Sequence, residues 1–315
     1  MKTQADSLDW KEIDARLSGI EPPVAREVLL DLLSGEISPA IALSRLLLAL
    51  GWPSEVEGVL AEVAQSWGRP LHPSLYEMAR LFQDHRDGCE RVAAMLREHP
   101  DPNVSISPTE DVIAACRSFF DRSVERSETA SVAAYSLNDP ALLERATREV
   151  MDLFERWDLL GADRRTLEIG CGIGRMQKAL ASRVAEVHGI DISPRMIEAA
   201  RMRCADLPNV HLTLGSGRDL GGFAAESLDL VYAVDSFPYI FQAGPALAEA
   251  HFHEAARVLR PGGDFVIFNY SYRDDLEGDK RDVNRLARAA GLAVMVSGGQ
   301  PFKFWDGIAF RMRRS

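Results

Sequence analysis

The sequence predicts an α/β protein in which a doubly wound, mainly parallel sheet of seven strands follows an all-α helical bundle. Two observations lead to this fold class. From Thr166 onward, short apolar segments of strand composition alternate with helical patterns. Between Ile20 and about Leu96, apolar residues recur at helical spacing and strand signals are almost absent. We therefore place a helical accessory domain at residues 1–105 and the sheet domain at residues 106–315, with residues 106–160 as a helical lead-in.

The helical domain is predicted from apolar stripes bounded by capping residues and glycines. Ser38 and Pro39 open a helix that Gly51 ends, and Ser54–Glu57 has the form of a capping box. These stripes predict a small bundle, with a docking module, a dimerisation module or a lid over the active site as the alternatives. We interpret the dispersed histidines as surface or capping residues, namely His72, His85 and His99.

The sheet domain is predicted element by element from the alternation of patterns. Each strand is short and apolar, and most helices open on a proline or a capping residue. The predicted strands are 166–169, 187–190, 210–214, 228–234, 264–269, 292–296 and 308–313, and the main helices are 140–157, 194–204, 245–259 and 283–290.

Composition limits the classes of protein to consider. Hydrophobic residues make up 46% of the 315 residues and charged ones 26%, which is ordinary for a globular protein. The longest apolar run, Leu46–Leu50, is too short to span a bilayer, and the polar N-terminus has no signal sequence, so we expect a cytoplasmic protein without membrane association. The cysteines show no paired or metal-binding spacing, which predicts buried, reduced thiols and no metal site.

The net charge of −11 is unevenly distributed along the chain. Residues 1–110 contain 10 Lys/Arg against 18 Asp/Glu, a balance of −8, whereas residues 111–315 contain 26 against 29, a balance of −3. An acidic surface repels a phosphate backbone, so a nucleic-acid partner is disfavoured. We interpret the basic C-terminal stretch Arg311–Arg314 as a solvated tail.

A glycine-rich turn follows the first predicted strand. Thr166–Ile169 runs directly into Gly170, Gly172 and Gly174, which allow a tight turn and the close approach of a ligand. The second strand ends at Asp191, 21 positions after Gly170, the spacing at which an acidic side chain accepts hydrogen bonds from ribose hydroxyls. Since doubly wound sheets bind ligands at the carboxyl ends of their strands, these residues predict a nucleotide-like ligand.

The spacing of the glycines distinguishes between nucleotide ligands. Arg175 occupies the position at which a dinucleotide fingerprint has its last glycine. The pattern E-x-G-C-G-x-G at residues 168–174 instead resembles motif I of the class I S-adenosylmethionine-dependent methyltransferases. Asp191–Met196, Leu228–Ala233 and Ala255–Gly263 resemble later motifs of that family, in the right order. The resemblance covers roughly residues 130–315 and leaves the helical bundle outside it.

The resemblance implies S-adenosylmethionine as the cofactor and S-adenosylhomocysteine as the product. In the family's pattern, Asp191 would hold the ribose hydroxyls, Met196 would cover the adenine and Tyr135 would cap the cofactor. Ser216 stands where the family commonly has an acid, so Asp219 or backbone groups are alternatives there. The cofactor contacts implied are Tyr135, Glu168, Gly170, Cys171, Gly172, Gly174, Asp191, Ile192, Met196, Ser216, Gly217, Val234 and Asp235. Purely structural roles are the alternatives for Glu168 and Cys171.

Candidates for the acceptor side follow the fourth and fifth strands. They are Asp235, Tyr239, Tyr272 and, on a later helix, His251, for which a surface position is the alternative. His251 and His253 lie two apart on a helix and do not face each other, which argues against a metal pair. Three aromatic residues precede the last strand, and they either line a substrate pocket or pack in the core. They are Phe302, Phe304 and Trp305.

Three functions agree with this pattern. The first is methyl transfer from S-adenosylmethionine to an oxygen or nitrogen of a small-molecule acceptor. The second is methylation of a protein or RNA that docks through the helical domain. Independently of the function, the helical domain is the candidate interface of a homodimer. The third is a non-catalytic subunit that binds the cofactor.

Overall fold

The computed structural model describes residues 9–98 and 108–315, which form two compact units. The helical unit comprises the described residues before the gap, Thr129–Ala146 and Lys303–Asp306. The sheet unit comprises residues from 108 to Glu128, Thr147–Phe302 and Gly307–Ser315. His99 and the rest of the predicted linker lie outside the described residues, and the boundary at residue 105 stays a prediction.

The helical unit begins with six helices. These are α1 (Trp10–Leu17), α2 (Pro23–Ser34), α3 (Pro39–Leu50), α4 (Pro53–Trp67), α5 (Pro73–Asp84) and α6 (Arg86–Leu96). Helix α3 contacts α2, α4, α5 and α6 because it is apolar nearly all round, as its sequence predicts. The Ser38 side chain caps α3 by accepting from the Ile41 N–H (3.3 Å), and His72 caps α5 through the Ser74 N–H (3.3 Å). The capping box at Ser54 was wrong, since α4 begins at Pro53 without a side-chain cap.

The segment after residue 108 contains three more helices, α7 (Thr109–Arg126), α8 (Glu128–Val132) and α9 (Pro140–Arg156), and a 3-10 turn at Ala134–Ser136. Within the helical unit, the ring of Tyr135 packs against those of Phe304 and Trp305, with ring centroids 6.0 and 6.2 Å apart. Phe304 is 2% exposed and Trp305 3% exposed. Both are therefore core residues of the helical unit.

The sheet unit has the predicted doubly wound fold with seven strands. They are β1 (Gly161–Ile169), β2 (Val184–Asp191), β3 (Val210–Leu214), β4 (Leu228–Val234), β5 (Leu259–Phe268), β6 (Leu292–Gly299) and β7 (Ala309–Arg314). Their order is β3-β2-β1-β4-β5-β7-β6, and β7 is antiparallel to both of its neighbours. The helices between them are α10 (Arg175–Leu180), α11 (Pro194–Arg203), α12 (Phe237–Gln242), α13 (Pro245–Val258) and α14 (Leu276–Ala289). The order reverses between β1 and β4, so their carboxyl ends are where a ligand is expected.

The basic C-terminal stretch is an internal strand, and its interpretation as a solvated tail was wrong. Arg311 is 9% exposed, and its Nε donates to Oδ1 of the fully buried Asp264 (2.7 Å). Arg313 donates to Oδ2 of the same carboxylate (3.0 Å). These charge-assisted bonds join β7 to β5, because a buried carboxylate requires such partners.

Candidate functional site

The glycine turn leaves the end of β1 through left-handed backbone. Gly170, Gly172 and Gly174 have φ of 73°, 51° and 75°, a region that side chains with a Cβ avoid. The N–H groups of Gly170 and Cys171 both donate to the Ile190 carbonyl of β2 (2.8 and 2.9 Å). At Gly170 a Cβ would lie 2.3 Å from that of Ser236, so the turn needs glycine there for space as well as for conformation.

Asp191 faces this turn from the end of β2. Its Oδ2 accepts from the Gly172 N–H (2.9 Å) and its Oδ1 from the Ser193 N–H (2.9 Å). Desolvation raises the pKa of the Asp191 carboxyl to about 6, and the two backbone hydrogen bonds oppose that shift. The structure thus brings together the glycine turn and the acid that the sequence predicts to share a site.

The residues after β3 stand beside an apolar contact from α7. A Cβ on Gly217 would lie 2.9 Å from Cγ2 of Ile192 and 3.4 Å from Cγ2 of Ile113 on α7. Ser216 is exposed, and its hydroxyl accepts from the Arg218 N–H (3.1 Å). Met196 is only 1% exposed, whereas Ile192 is partly exposed. Ile192 therefore offers more apolar surface to a ligand than Met196 does.

Glu168 lies below the glycine turn and is 3% exposed. Its Oε2 accepts from Nε2 of Gln177 on α10 (2.7 Å), and it pairs in register with Tyr232 of β4. Burial raises the pKa of Glu168 to about 8, although Gln177 and Arg175 lower it. Burial also raises the pKa of the neighbouring Cys171 thiol, which is therefore neutral and poorly suited to act as a nucleophile.

The burial of Glu168 predicts a pH dependence of stability. Because its pKa is about 8 in the folded chain against 4.5 in the unfolded one, the folded state binds more protons in this window, and stability falls as pH rises from 4.5 to 8. We expect Glu168→Gln to flatten this fall, measured by urea unfolding at several pH values. Glu198→Gln, at an exposed position of α11, should keep the wild-type slope. Parallel profiles for wild type and Glu168→Gln would contradict the assignment.

Three of the four acceptor-side candidates converge after β4 and β5. Oδ1 of Asp235 accepts from the Tyr272 hydroxyl (3.0 Å) and from Nδ2 of Asn269 (2.7 Å). Asp235 and Asn269 have φ of 58° and 63°, a strained conformation for residues with side chains. The ring of Tyr239 packs edge to face against those of Tyr272 and of Phe120 on α7, with ring centroids 6.0 and 5.0 Å apart. Sequence reasoning missed Asn269 and Phe120, although Asn269 follows β5 directly.

His251 does not belong to this cluster, and the alternative of a surface position was wrong as well. It is 1% exposed on the core face of α13, where its Nδ1 lies 2.9 Å from the Leu247 carbonyl and its ring faces Phe237. Burial lowers the pKa of its imidazole, which is therefore neutral at physiological pH. A side chain so enclosed has almost no surface with which to contact a substrate.

Within the described ranges 9–98 and 108–315, no group of three or more His, Cys, Asp or Glu residues is arranged to hold a metal ion. No helix in this part of the chain has the length and apolar character needed to cross a membrane.

Comparison with known families agrees with this geometry. Residues 167–267, which run from the last part of β1 into β5, match the family model of a methyltransferase domain. This domain belongs to the class I S-adenosylmethionine-dependent methyltransferases. The cofactor of the methyltransferase domain is accordingly S-adenosylmethionine.

Two curated relatives match this methyltransferase region. An S-adenosyl-L-methionine-dependent Diels-Alderase of Talaromyces variabilis is 30% identical over 147 residues, which is 45% of this chain and 49% of the relative. A demethylmenaquinone methyltransferase of Tropheryma whipplei is 36% identical over 111 residues, 35% of this chain and 44% of the relative. The chain thus spans about half the length of the curated relatives that it matches.

A solved structure supports the fold. Magnesium protoporphyrin IX methyltransferase of Synechocystis PCC 6803, with bound S-adenosylmethionine, superposes with a TM-score of 0.50. At 16% identity the superposition covers 68% of this chain and all of the other. The similarity therefore concerns the fold alone.

The residues at this edge fit S-adenosylmethionine. The glycine turn has no side chain at Gly172, so a ligand can approach the backbone closely there. The Asp191 carboxylate is suited to accept from ribose hydroxyls, while Ile192 and Gly217 present an apolar surface of the kind that adenine needs. Tyr135 lies in the helical unit, so its predicted capping of the cofactor stays a prediction.

Proposed function

We propose that this protein transfers a methyl group from S-adenosylmethionine to an oxygen or nitrogen atom of a small molecule. The observation that carries the proposal is the presence of two clusters on one edge of the sheet. The Gly172–Asp191 pair follows β1 and β2, and the Asp235–Tyr272 pair follows β4 and β5. Because β1 and β4 are neighbours and parallel, a cofactor site and an acceptor site would adjoin there.

In this proposal Asp191 accepts from the ribose hydroxyls, and the backbone of the glycine turn lies against the methionine part. Ile192 and Gly217 line the adenine side, while the turn at Val234–Asp235 holds the methionine amino group. Asp191 must be ionised to accept both hydroxyls. Since its pKa is about 6, cofactor affinity should weaken as pH falls through that value.

The chemistry of transfer depends mostly on position. When bound, S-adenosylmethionine supplies an electrophilic methyl group on a sulfonium sulfur. The protein's part is to align the acceptor atom with that group and to exclude water. The rings of Phe120, Tyr239 and Tyr272 form the apolar wall for the acceptor. Asp235, oriented by Asn269 and Tyr272, is placed to take the proton that a hydroxyl or ammonium acceptor loses.

We expect Asp235→Asn to lower the rate of methyl transfer by about 100-fold or more, as is usual when a general base is lost. Tyr272→Phe, which removes only the hydroxyl that orients the carboxylate, should lower the rate less. The measurement is the initial rate of label transfer from radiolabelled cofactor at saturating cofactor concentration. A wild-type rate in Asp235→Asn would exclude Asp235 as the base.

Charge and relatives favour a small acceptor. The balance of −8 in residues 1–110 is unfavourable for RNA docking on the helical domain. One of the two relatives is named for demethylmenaquinone, a small molecule. The test is incubation with methyl-labelled S-adenosylmethionine and a cell extract, followed by separation by size. Label in the small-molecule fraction supports the proposal, and label in protein or RNA favours the macromolecular alternative.

A second candidate is cyclisation without methyl transfer. The specific observation for it is the match to a relative named as an S-adenosyl-L-methionine-dependent Diels-Alderase. The two functions differ in the fate of the cofactor, because methyl transfer releases one S-adenosylhomocysteine for each product. Product formation without release of S-adenosylhomocysteine would favour cyclisation. A non-catalytic subunit would bind the cofactor and yield neither product.

A further inference from the structure

Helix α7 holds the loop after β2 through one polar face. Arg117, Asp121 and Glu125 are spaced four residues apart and so lie on the same side of the helix. Arg117 donates through Nε to the Ile192 carbonyl (3.0 Å), and Glu125 pairs with Arg195 (3.1 Å). Between them, Asp121 accepts from the Ser193 hydroxyl. The helix therefore contacts three of the four residues that follow Asp191.

The contact of Asp121 is the innermost of the three. Its Oδ1 accepts from the Ser193 hydroxyl (2.6 Å) and from the Arg195 N–H (3.3 Å). Ser193 is fully buried, and its Oγ also accepts from the Met196 N–H (3.0 Å), which caps α11. The N–H of the same Ser193 donates to Asp191 (2.9 Å). A continuous chain of hydrogen bonds thus runs from Asp121 through Ser193 to the Asp191 carboxylate.

We propose that Asp121 is a positioning residue of the cofactor site, which holds Ser193 so that the Asp191 carboxylate stays aimed at the ribose hydroxyls. The proposal rests on the proposed function, because it gives Asp191 its role as the ribose acceptor. Asp121 acts through Ser193 and touches neither cofactor nor acceptor. Its effect should appear in cofactor affinity, because a Ser193 without this anchor leaves its N–H less well directed at Asp191.

The charge of Asp121 separates positioning from simple packing. Its negative charge adds to the rise in the pKa of Asp191, whose main cause is desolvation. Other ionisable groups close to Asp191 are Glu168 of β1 and Cys171 of the glycine turn; of the nearby cations, Arg117 binds the Ile192 carbonyl and Arg195 pairs with Glu125. Asparagine at position 121 can still accept from Ser193 but lacks the charge. Asp121→Asn therefore isolates the electrostatic effect, and Asp121→Ala removes both effects.

The test measures S-adenosylmethionine affinity of the full chain by calorimetry between pH 5 and pH 8. We expect Asp121→Ala to bind about 10-fold more weakly or worse at pH 8, as for the loss of hydrogen bonds to a charged group. Asp121→Asn should bind near the wild-type level at pH 8. The fall in its cofactor affinity at acid pH should set in at a lower pH than in the wild type. Glu125→Ala, which loses only an exposed ion pair of the same helix face, should stay within about two-fold.

The outcomes separate this proposal from the function on which it rests. Thermal unfolding confirms that each variant is folded at the temperature of the titration. If wild type binds and Asp121→Ala matches Glu125→Ala, Asp121 is not a positioning residue. Suppose that Asp121→Asn binds the cofactor as weakly as Asp121→Ala and loses affinity over the same acid pH range as the wild type. The charge of Asp121 then does not act on Asp191 as proposed. Absence of S-adenosylmethionine binding by the wild type at every pH would instead refute the proposed function.

Discussion

Asp191→Ala should bind S-adenosylmethionine about 100-fold more weakly than the wild type or worse, because two hydrogen bonds to a charged acceptor are lost. The same substitution removes the acceptor for the N–H groups of Gly172 and Ser193, so the glycine turn also loses its support. Both effects act in the same direction. The measurement is the dissociation constant by calorimetry at pH 8, where the wild-type carboxyl is ionised.

Glu198→Ala is the matched control for Asp191→Ala. Glu198 is an exposed acid on α11, seven residues further along, and its ion pair with Arg195 is long (3.6 Å). Its removal should leave affinity within about two-fold of the wild type. Equal affinities for wild type and a folded Asp191→Ala variant would refute the role of Asp191.

Gly170→Ala should cause the largest loss of stability at the site. The new methyl group would meet the Ser236 Cβ at 2.3 Å, and the backbone at φ of 73° is strained for alanine. Overpacking of this kind costs about 1–3 kcal/mol, and the left-handed conformation adds to it. The expected result is a fall in the free energy of unfolding in urea, together with loss of cofactor binding as the turn moves.

Gly262→Ala separates the two causes. Gly262 also has a left-handed φ of 81°, but no atom lies within 4 Å of its added Cβ. It should lose only the conformational part, about 1 kcal/mol. In the Gly170→Ala background, Ser236→Gly should restore part of the stability because it removes the clashing carbon. If Gly170→Ala costs no more than Gly262→Ala, then space at Gly170 is not limiting.

The cofactor edge could be predicted because its determinants are local in the sequence. Strand, glycine spacing and an acid at the next strand end specify Gly170, Gly172 and Asp191 together, and the structure places them in contact. The same logic located Asp235 and Tyr272 after the fourth and fifth strands. Residues at the carboxyl ends of adjacent parallel strands lie close together when the strands have the expected order. Their proximity therefore follows from the topology of the sheet.

The role of α7 could not be predicted in this way. The sequence predicts a helical lead-in over residues 106–160, but the contacts of α7 with the loop after β2 join residues 70 to 75 positions apart, such as Asp121 with Ser193 and Glu125 with Arg195. The periodicity of apolar residues indicates local structure and does not indicate contacts between residues so far apart in the sequence. Arg117, Asp121 and Glu125 look in the sequence like the solvated face of a helix, because the partners that the structure gives them lie on a distant loop.

Burial of single polar residues is the other part that sequence patterns missed. His251 and Arg311 are charged or polar types that usually lie at the surface, and a surface position was among the interpretations of each. His251 is buried because α13 packs that face against α12, where its ring meets Phe237. Arg311 is buried because Asp264, on a different strand, provides its partner. Both outcomes depend on tertiary neighbours.

The central claim is that the glycine turn and Asp191 bind S-adenosylmethionine and not a dinucleotide. The most direct measurement is a pair of calorimetric titrations of the wild-type protein at pH 8, one with S-adenosylmethionine and one with NAD. We predict saturable, one-to-one binding of S-adenosylmethionine that Asp191→Ala weakens, and no binding of NAD. Saturable binding of NAD with no binding of S-adenosylmethionine would contradict the account.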